Sequence, residues 1–236
     1  MYTIKDYSTT TAVLLFAQSE KIESGLKPIA SCSKQNVLLW KKMNGNVTKL
    51  IQKSKLPYFV SDENSQVGTT FGEKITHAIQ AVFVKGFAKV IVIGNDCIEL
   101  KVQHLLQAEK DLKTNDLVIG SDYSGGAYLI GISKSEFNAD LFETLPWQTK
   151  GVLTALQTLY KTQSIAYLAC LNDCNDAFDF KKATHKLSFS DAFRKILLSF
   201  LSINKIQNYF EIGFFSYDYH PLNFNKGSPV SSSTSV

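Results

Sequence analysis

The chain has no long apolar run, no glycine fingerprint, no paired cysteines and no dense basic stretch, and each absence removes a class of protein. No stretch of its 236 residues nears the length of a membrane span. The opening "MYTIKDYSTTTAVLLFAQSE" is polar before a short apolar strand and lacks the basic region and cleavage site of a signal peptide, so a cytoplasmic protein is expected. The four cysteines, Cys32, Cys97, Cys170 and Cys174, show no C-x-x-C spacing, which favours reduced, mostly buried thiols over a zinc or thioredoxin-type centre. Neither G-x-G-x-x-G nor G-x-x-x-x-G-K-[ST] occurs, which argues against a nicotinamide dehydrogenase or a P-loop enzyme. Nor is there a G-x-S-x-G elbow of a hydrolase. The formal charge of +4 suits an anionic small ligand and falls short of a nucleic-acid binder, so no nucleic-acid partner is expected.

What is present is an alternation. "TAVLLFA" (11–17) is continuously apolar and reads as a buried strand. "QSEKIESGLKPIA", broken by Gly25 and Pro28, reads as a loop. Ser33 to Lys55 is helical in pattern, with "NGN" at 44–46 expected to interrupt it, and "LPYFVS" looks like a second strand. Phe71, Ile75, Ala78, Ile79, Val82 and Phe83 form one apolar stripe of a helix that Gly86 ends. "KVIVIG" lacks alternation and should be covered on both faces. A helix over "KVQHLLQAEKDLKT", strands "DLVIGSD" and "AYLIGIS", a helix over "TKGVLTALQTLYKTQ" and a strand "IAYLACL" follow. This order calls for an α/β fold: three layers, α/β/α, around a mainly parallel sheet with right-handed crossovers.

Ligands of such sheets sit at the carboxyl ends of strands. Several polar groups should gather there: Lys21, Gly25 and Lys27 after the first strand, Asn95, Asp96 and Cys97 after "VIVIG", and Gly125 and Gly126 before "AYLIGIS". Trp147 and Thr149 at a helix start, and Asp173, Asn175, Asp176 and Asp179 after the last strand, complete the set. A carboxylate and a second acidic loop can hold one Mg²⁺ or Mn²⁺ with phosphate, and lysines opposite can neutralise the rest of a diphosphate. Taken singly, each residue has a plainer role. Asp96 would cap the helix near Gln103 or brace its turn, Gly125 and Gly126 would form a hairpin, and Trp147 would be a core aromatic. Asp173 and Asp176 would be loop and helix-start residues, and His77 and His104 surface residues.

Past Phe180 the alternation stops. "SFSDAFRKILLSFLS" is amphipathic, with Phe193, Ile196, Leu197, Phe200 and Leu201 on one side. "YFEIGFFSYDYHPLNF" is aromatic and offers an added strand or a contact surface through which the chain could form a homo-oligomer, and "KGSPVSSSTSV" has the composition of a disordered tail. The expected division is a nucleotide-binding domain over 1–181, a helical and aromatic addition packed on it over 182–225, and a tail over 226–236.

The strings "FGEKITHAIQAVFVKGFAKVIVIGNDCIEL", "GSDYSGGAYLIGI", "LFETLPWQT" and "LNDCNDAFDF", in that order, resemble the DUF2064 family over about residues 11 to 180. That family belongs to the GT-A-like glycosyltransferase and nucleotidyltransferase superfamily, some of its members being labelled radical-SAM or selenodomain-associated transferases. The resemblance implies a nucleotide-diphospho-sugar transferase (GT-A-like) fold, a nucleotide sugar or nucleoside triphosphate as partner, and a divalent cation. The family's G-x-D-x-P-x-L pattern falls on Gly94, Asp96 and Leu100, with Ile98 in place of proline, and makes Asp96 the aspartate on the metal and phosphate side. Its D-G-G-Y-Y-L falls on Gly125, Gly126, Tyr128 and Leu129, with Ser124 for the aspartate and Ala127 for a tyrosine. W-x-T is kept at Trp147 and Thr149. D-x-D-T-x-x-D-L becomes Asp173, Asn175, Asp176, Asp179 and Phe180. The first-loop pattern is absent, although Lys27 lies close to the expected lysine. The resemblance thus implies Asp96 and Asp173 as catalytic and metal-side residues, and Lys27, Asn95, Gly125, Gly126, Trp147 and Thr149 as contacts of the bound nucleotide. Losing carboxylates to Ser124 and Asn175 weakens cation binding, so a catalytically silent nucleotide-binding or scaffold relative is the alternative.

Overall fold

The computed structural model describes residues 10–30 and 32–200. Its centre is set by strands too apolar to face water on either side. These are β1 (Thr11–Phe16), β3 (Lys89–Ile93), β4 (Leu117–Ser121) and β5 (Ala127–Ser133), flanked by the shorter β2 (Tyr58–Ser61) and β6 (Ile165–Tyr167). The sheet order is β2-β1-β3-β5-β4-β6. Three neighbouring pairs are parallel, and β5 runs antiparallel to both β3 and β4. The sheet is therefore mainly parallel, with one reversed strand placed by a hairpin.

Among the described residues, six helices lie between the strands, α1 (Glu20–Leu26), α2 (Ser33–Ser54), α3 (Phe71–Val84), α4 (Val102–Asp111), α5 (Ala139–Glu143) and α6 (Val152–Leu159), and α7 (Ala177–Lys186) follows the last strand. One face of the sheet buries Ala12, Leu14, Val90 and Val92 against Ile75, Ile79 and Phe83 of α3, with Phe142 and Leu156 from α5 and α6. The other face buries Val13, Leu15, Ile91 and Ile93 against Val47, Leu50 and Ile51 of α2 and Leu105 and Ala108 of α4. Covering on both faces is why these strands read as continuous apolar runs rather than alternating ones. The chain leaves β1 outward to β2, then returns across α3 to β3 on the other side of β1. The carboxyl ends of β1 and β3 thus flank the point where the strand order reverses, where sheets of this kind leave a crevice.

Two expectations need correction. The segment after β1 is no loop but begins with the seven-residue helix α1, whose inward residue is Glu23. "NGN" does not interrupt α2, which runs unbroken for 22 residues. Gly45 is exposed with nothing near it, while Asn44 accepts a hydrogen bond from Asn95 and donates one to the Gln18 carbonyl. A long helix tolerates the roughly 1 kcal/mol that one glycine costs, and Asn44 gains partners outside it.

Past β6, α7 runs across residue 181, where a boundary was expected, and residues 192–200 are again helical. Phe180, Ala183, Leu187 and Leu197 are buried with Trp40 and Met43 of α2 in a third cluster, with Phe193 and Phe200 packed against it. Ile196, expected on the same face, is exposed. Leu201, the aromatic segment and the tail lie outside the described residues. No helix among the described residues is long and apolar enough to cross a membrane.

Candidate functional site

The third apolar cluster decides where the charged residues stand. Ile29, Ile98 and Cys174 are all buried in it, and each lies one or two residues beyond Lys27, Asp96 and Asp173 respectively. Three loops far apart in sequence are thus pinned by neighbouring apolar anchors, which brings their polar residues to one place above the carboxyl ends of β1 and β3. The Cys174 amide donates to the Asp96 carbonyl at 3.1 Å and fastens the second and third loops together. Asn36 on α2 fixes the first. Its Oδ1 accepts from the amides of Ile29 and Ala30 at 3.0 Å each. Its Nδ2 donates to the carbonyls of Ser24 at 2.7 Å and Lys27 at 3.1 Å. The indole of Trp40 donates to the same Lys27 carbonyl.

Lys27 Nζ then lies 2.5 Å from Asp96 Oδ2, with side-chain exposures of 24% and 17%. Burial alone would lower the lysine pKa, but the carboxylates of Asp96, Asp173 and Glu23 outweigh it and hold Lys27 raised and charged. Burial would raise Asp96, yet the lysine charge and a hydrogen bond from Asp173 keep it below the usual carboxylate range. Asp173 moves the other way. Burial first, then the charge of Asp96, push it well above its ordinary value. Of the two adjacent carboxyls, Asp96 is the one favoured to ionise and Asp173 the one favoured to keep a proton and donate it in a hydrogen bond to Asp96. Asp173 Oδ1 is buried without a hydrogen-bond partner. Glu23 is also raised, by burial and then by Asp96, although it accepts from the Gln18 amide at 3.3 Å.

These groups line one open cleft of about 480 Å³ at the sheet edge. Lys27, Asn95, Asp96 and Asp173 share it with Gly126, Trp147 and Thr149. Asp96 does not cap α4, whose N-cap is Lys101; it faces Lys27. Asn95 is buried, and its amide links Asn44 of α2 to Glu23. Gly125 and Gly126 form the β4–β5 hairpin, but only Gly126 lines the cleft. Gly125 has φ +97° and passes so close to the Lys150 carbonyl that no side chain fits there. Thr149 Oγ1 donates to the Pro146 carbonyl at 2.7 Å and accepts from the Gly151 amide at 3.1 Å, bracing the turn before α6. Asn175 lines the cleft, whereas Asp176 is the N-cap of α7, accepting from the amides of Phe178 and Asp179. Lys21 and Gly25 lie on the exposed side of α1, outside the cleft. His77 is exposed as expected, and His104 is partly buried with Nδ1 accepting from the Lys101 amide. The four cysteines are free; Cys97 and Cys174 are buried, and Cys32 and Cys170 partly so.

Sequence reasoning passed over Glu23 and Asp122. Glu23 was hidden because its helix was read as a loop. Asp122 follows β4 as Asp96 follows β3, a parallel that could have marked it. Its Oδ1 accepts from the amides of Ser124 at 2.6 Å and Gly126 at 2.9 Å, so it shapes the hairpin from within the cleft.

No group of three or more His, Cys, Asp or Glu among the described residues is arranged to hold a metal ion. Two carboxylates side by side, one with an unpartnered buried oxygen, do fit a Mg²⁺ or Mn²⁺ of the kind that takes one or two protein oxygens and the rest from phosphate and water.

The mainly parallel three-layer sheet with its cleft at the strand switch has the nucleotide-diphospho-sugar transferase (GT-A-like) fold, as a solved structure of that fold shows. The chain superposes over 84% of its length on 97% of a candidate nucleotide-diphospho-sugar transferase from Desulfovibrio desulfuricans G20, with a TM-score of 0.71 and 19% identity. Residues 43–149 match the model of DUF2064, a family described as an uncharacterized protein conserved in bacteria. The match takes in three of the four strings that carry the resemblance, from Phe71 to Thr149. Protein Rv0371C from Mycobacterium tuberculosis H37Rv, in a complex with manganese, matches at TM-score 0.44 and 10% identity, over 76% of this chain and 100% of that one. A 4-diphosphocytidyl-2C-methyl-D-erythritol synthase from Anaerococcus prevotii DSM 20548 matches at 0.46 and 8% identity, over 83% and 99%. Scores this low carry no argument about the site. No curated protein matches the chain.

Proposed function

We propose that the protein is a GT-A-like transferase that takes a nucleotide-activated donor, a nucleotide sugar or a nucleoside triphosphate, at the cleft over β1 and β3. The observation that supports this is the convergence of Lys27, Asp96 and Asp173 on one open cleft at the strand switch. Lys27 would turn from Asp96 toward a phosphate oxygen, its charge secured by the surrounding carboxylates. Asp96 and Asp173 would hold Mg²⁺ or Mn²⁺, Asp173 giving up its proton as it does so. The bound ion would neutralise charge on the leaving diphosphate. The Asp122-braced hairpin would place the Gly126 backbone against the ligand with no side chain between. The fold and the cleft fit glycosyl and nucleotidyl transfer alike.

The test is calorimetry of the full chain against a panel of nucleoside diphosphates, nucleoside triphosphates and nucleotide sugars with Mn²⁺. Binding that needs the ion, and is lost in Asp96→Ala, is expected. Absence of binding across the panel would sink the reading. One observation favours the alternative of a silent relative: Lys27 already neutralises Asp96, leaving the ion to compete with a covalently tethered ammonium. Nucleotide binding without turnover of any donor would decide for it.

A further inference from the structure

The cleft straddles the sheet edge, and its two walls differ in chemistry. Lys27, Asp96 and Asp173 stand on the side of α1, α2 and α7, anchored in the cluster around Trp40. On the α3 side, Phe16 at the end of β1, Phe71 at the start of α3 and Trp147 before α6 face the same space. All three rings are only partly buried, resting on the core beneath α3. They form a continuous surface. Phe16 meets Phe71 edge-on at 5.4 Å between centroids, and Phe71 meets Trp147 at 5.6 Å, tilted by 44°. The backbone is shaped to permit it. Gly72 lets α5 approach so closely that any added side chain would run into the Glu143 carbonyl and the Trp147 ring. The capping box of Thr70 and Glu73 fixes the first turn of α3, from which Phe71 projects.

This wall offers a ligand ring surface and no side-chain hydrogen bond. The indole Nε1 of Trp147 donates to the Phe142 carbonyl at 2.9 Å, so its one polar atom is already satisfied inside the protein. Of the polar side chains that also line the cleft, Gln18, Glu23 and Gln66 are engaged within the protein, Gln18 Nε2 donating to Gln66 Oε1 and the Gln18 amide to Glu23 Oε1. We propose that the Phe16–Phe71–Trp147 wall is the acceptor subsite and takes a flat, apolar ring, an aryl alcohol or similar planar group, stacked on Trp147 and Phe71. Its acceptor role rests on the transferase reading; its ring-binding chemistry does not. A ring there gains offset-stacked and edge contacts that a puckered ring of the same size cannot make, while its substituent reaches across the cleft toward Asp96.

Of the two tryptophans, Trp40 is fully buried and Trp147 faces the cleft, so ring binding can be followed by Trp147 emission. Phenol titrated into the full-length protein should change that emission saturably, and cyclohexanol should bind about tenfold more weakly or not at all. Phe71→Leu should weaken phenol about tenfold while leaving Mn²⁺-dependent binding of a nucleoside diphosphate within about twofold. Trp147→Phe should abolish the optical response but keep phenol binding by calorimetry. Equal binding of phenol and cyclohexanol, no saturable response, or displacement of phenol by a free nucleoside would each overturn the assignment. Nucleotide binding without phenol binding removes this subsite alone. Phenol binding with no nucleotide binding removes the transferase reading and leaves the ring site standing.

Discussion

Lys27 Nζ and Asp96 Oδ2 are 2.5 Å apart across 69 residues of chain, the tightest link between the first and second loops of the cleft. The pair is not symmetric, because Asp96 has a neighbour that can replace it. In Asp96→Asn burial still raises Asp173 but the repulsion from Asp96 disappears, which favours its ionised form and leaves it as the carboxyl able to take over the lysine. In Lys27→Met the two carboxyls remain with one proton and no counter-ion. Lys27→Met should therefore be the more destabilising change. It should cost about 3 kcal/mol at neutral pH, the low end for breaking a buried pair, since both side chains keep some exposure. Urea unfolding of both variants checks the order. Acidification should narrow the gap, because protonating Asp96 removes the unpaired charge.

Asp173 gives the fold a pH dependence opposite in sign to that of Asp96. Its folded-state pKa is raised, so between the unfolded and folded values the native state binds more protons than the unfolded chain. Its contribution is fully present below the unfolded value and is lost as pH rises through the folded one. Asp96, held low, contributes above its unfolded value and loses that contribution as pH falls through the folded one. Asp173→Asn should thus raise the urea midpoint at neutral pH, have little effect near pH 4 (about where a free carboxyl titrates), and abolish Mn²⁺ binding. A more stable protein with a weaker cation site is the expected trade. If the midpoint at neutral pH falls in Asp173→Asn, the shared proton is wrongly placed.

Asn36 sits outside the cleft, yet it should behave as a positioning residue for Lys27. Its side chain satisfies two amides and two carbonyls of the segment that carries the lysine. Asn36→Ala removes this partner from all four, the Lys27 carbonyl alone keeping the Trp40 indole, and should cost about 3 kcal/mol, since each buried group left unpaired is worth about 1 kcal/mol or more. Asn36→Asp, which keeps the acceptor and loses the two donors, should be intermediate. Thermal unfolding ranks them. Nucleotide affinity should fall more steeply along the series than in a core truncation of equal stability cost, such as Leu39→Ala.

The sheet was legible because its central strands are buried on both faces. Val90, Ile91, Val92 and Ile93 lie between two helix layers, and nothing but an apolar run can occupy that place. The strand ends were legible for the same reason, which located Asp96 and, through the order of motifs, Asp173. Helix α1 was not, because its one buried residue is Glu23, a carboxyl that accepts from the Gln18 amide, in place of an apolar stripe. A seven-residue helix with a polar buried face carries no periodic signal. The aromatic wall was also hidden: Phe16, Phe71 and Trp147 come from a strand end, a helix start and a turn, and only the fold shows that they touch. Trp147 packs against the core and also lines the cleft.

Gly125 tests whether the hairpin and the loop before α6 move as one. It has φ +97°, a region that L side chains avoid, and an added Cβ would run into the Lys150 carbonyl. Its own carbonyl accepts from the Leu153 amide at 3.0 Å, so the hairpin is tied to the first turn of α6. Gly125→Ala combines backbone strain with displacement of the Thr149–Lys150 turn, and should cost about 2 kcal/mol. That corresponds to a melting temperature lower by about 4–8 °C for a chain of this size. Because Trp147 and Thr149 lie on the displaced segment and Lys27 and Asp96 do not, the variant should lose phenol binding more than Mn²⁺-dependent nucleotide binding. Gly126→Ala acts differently: its Cβ would meet Asp122 Oδ2, disturbing the carboxylate beside Asp173. Calorimetry with the two probes should therefore separate the neighbouring glycines, Gly125 affecting the ring wall and Gly126 the charged one. Equal losses with both probes in both variants would mean that the cleft responds as a single unit.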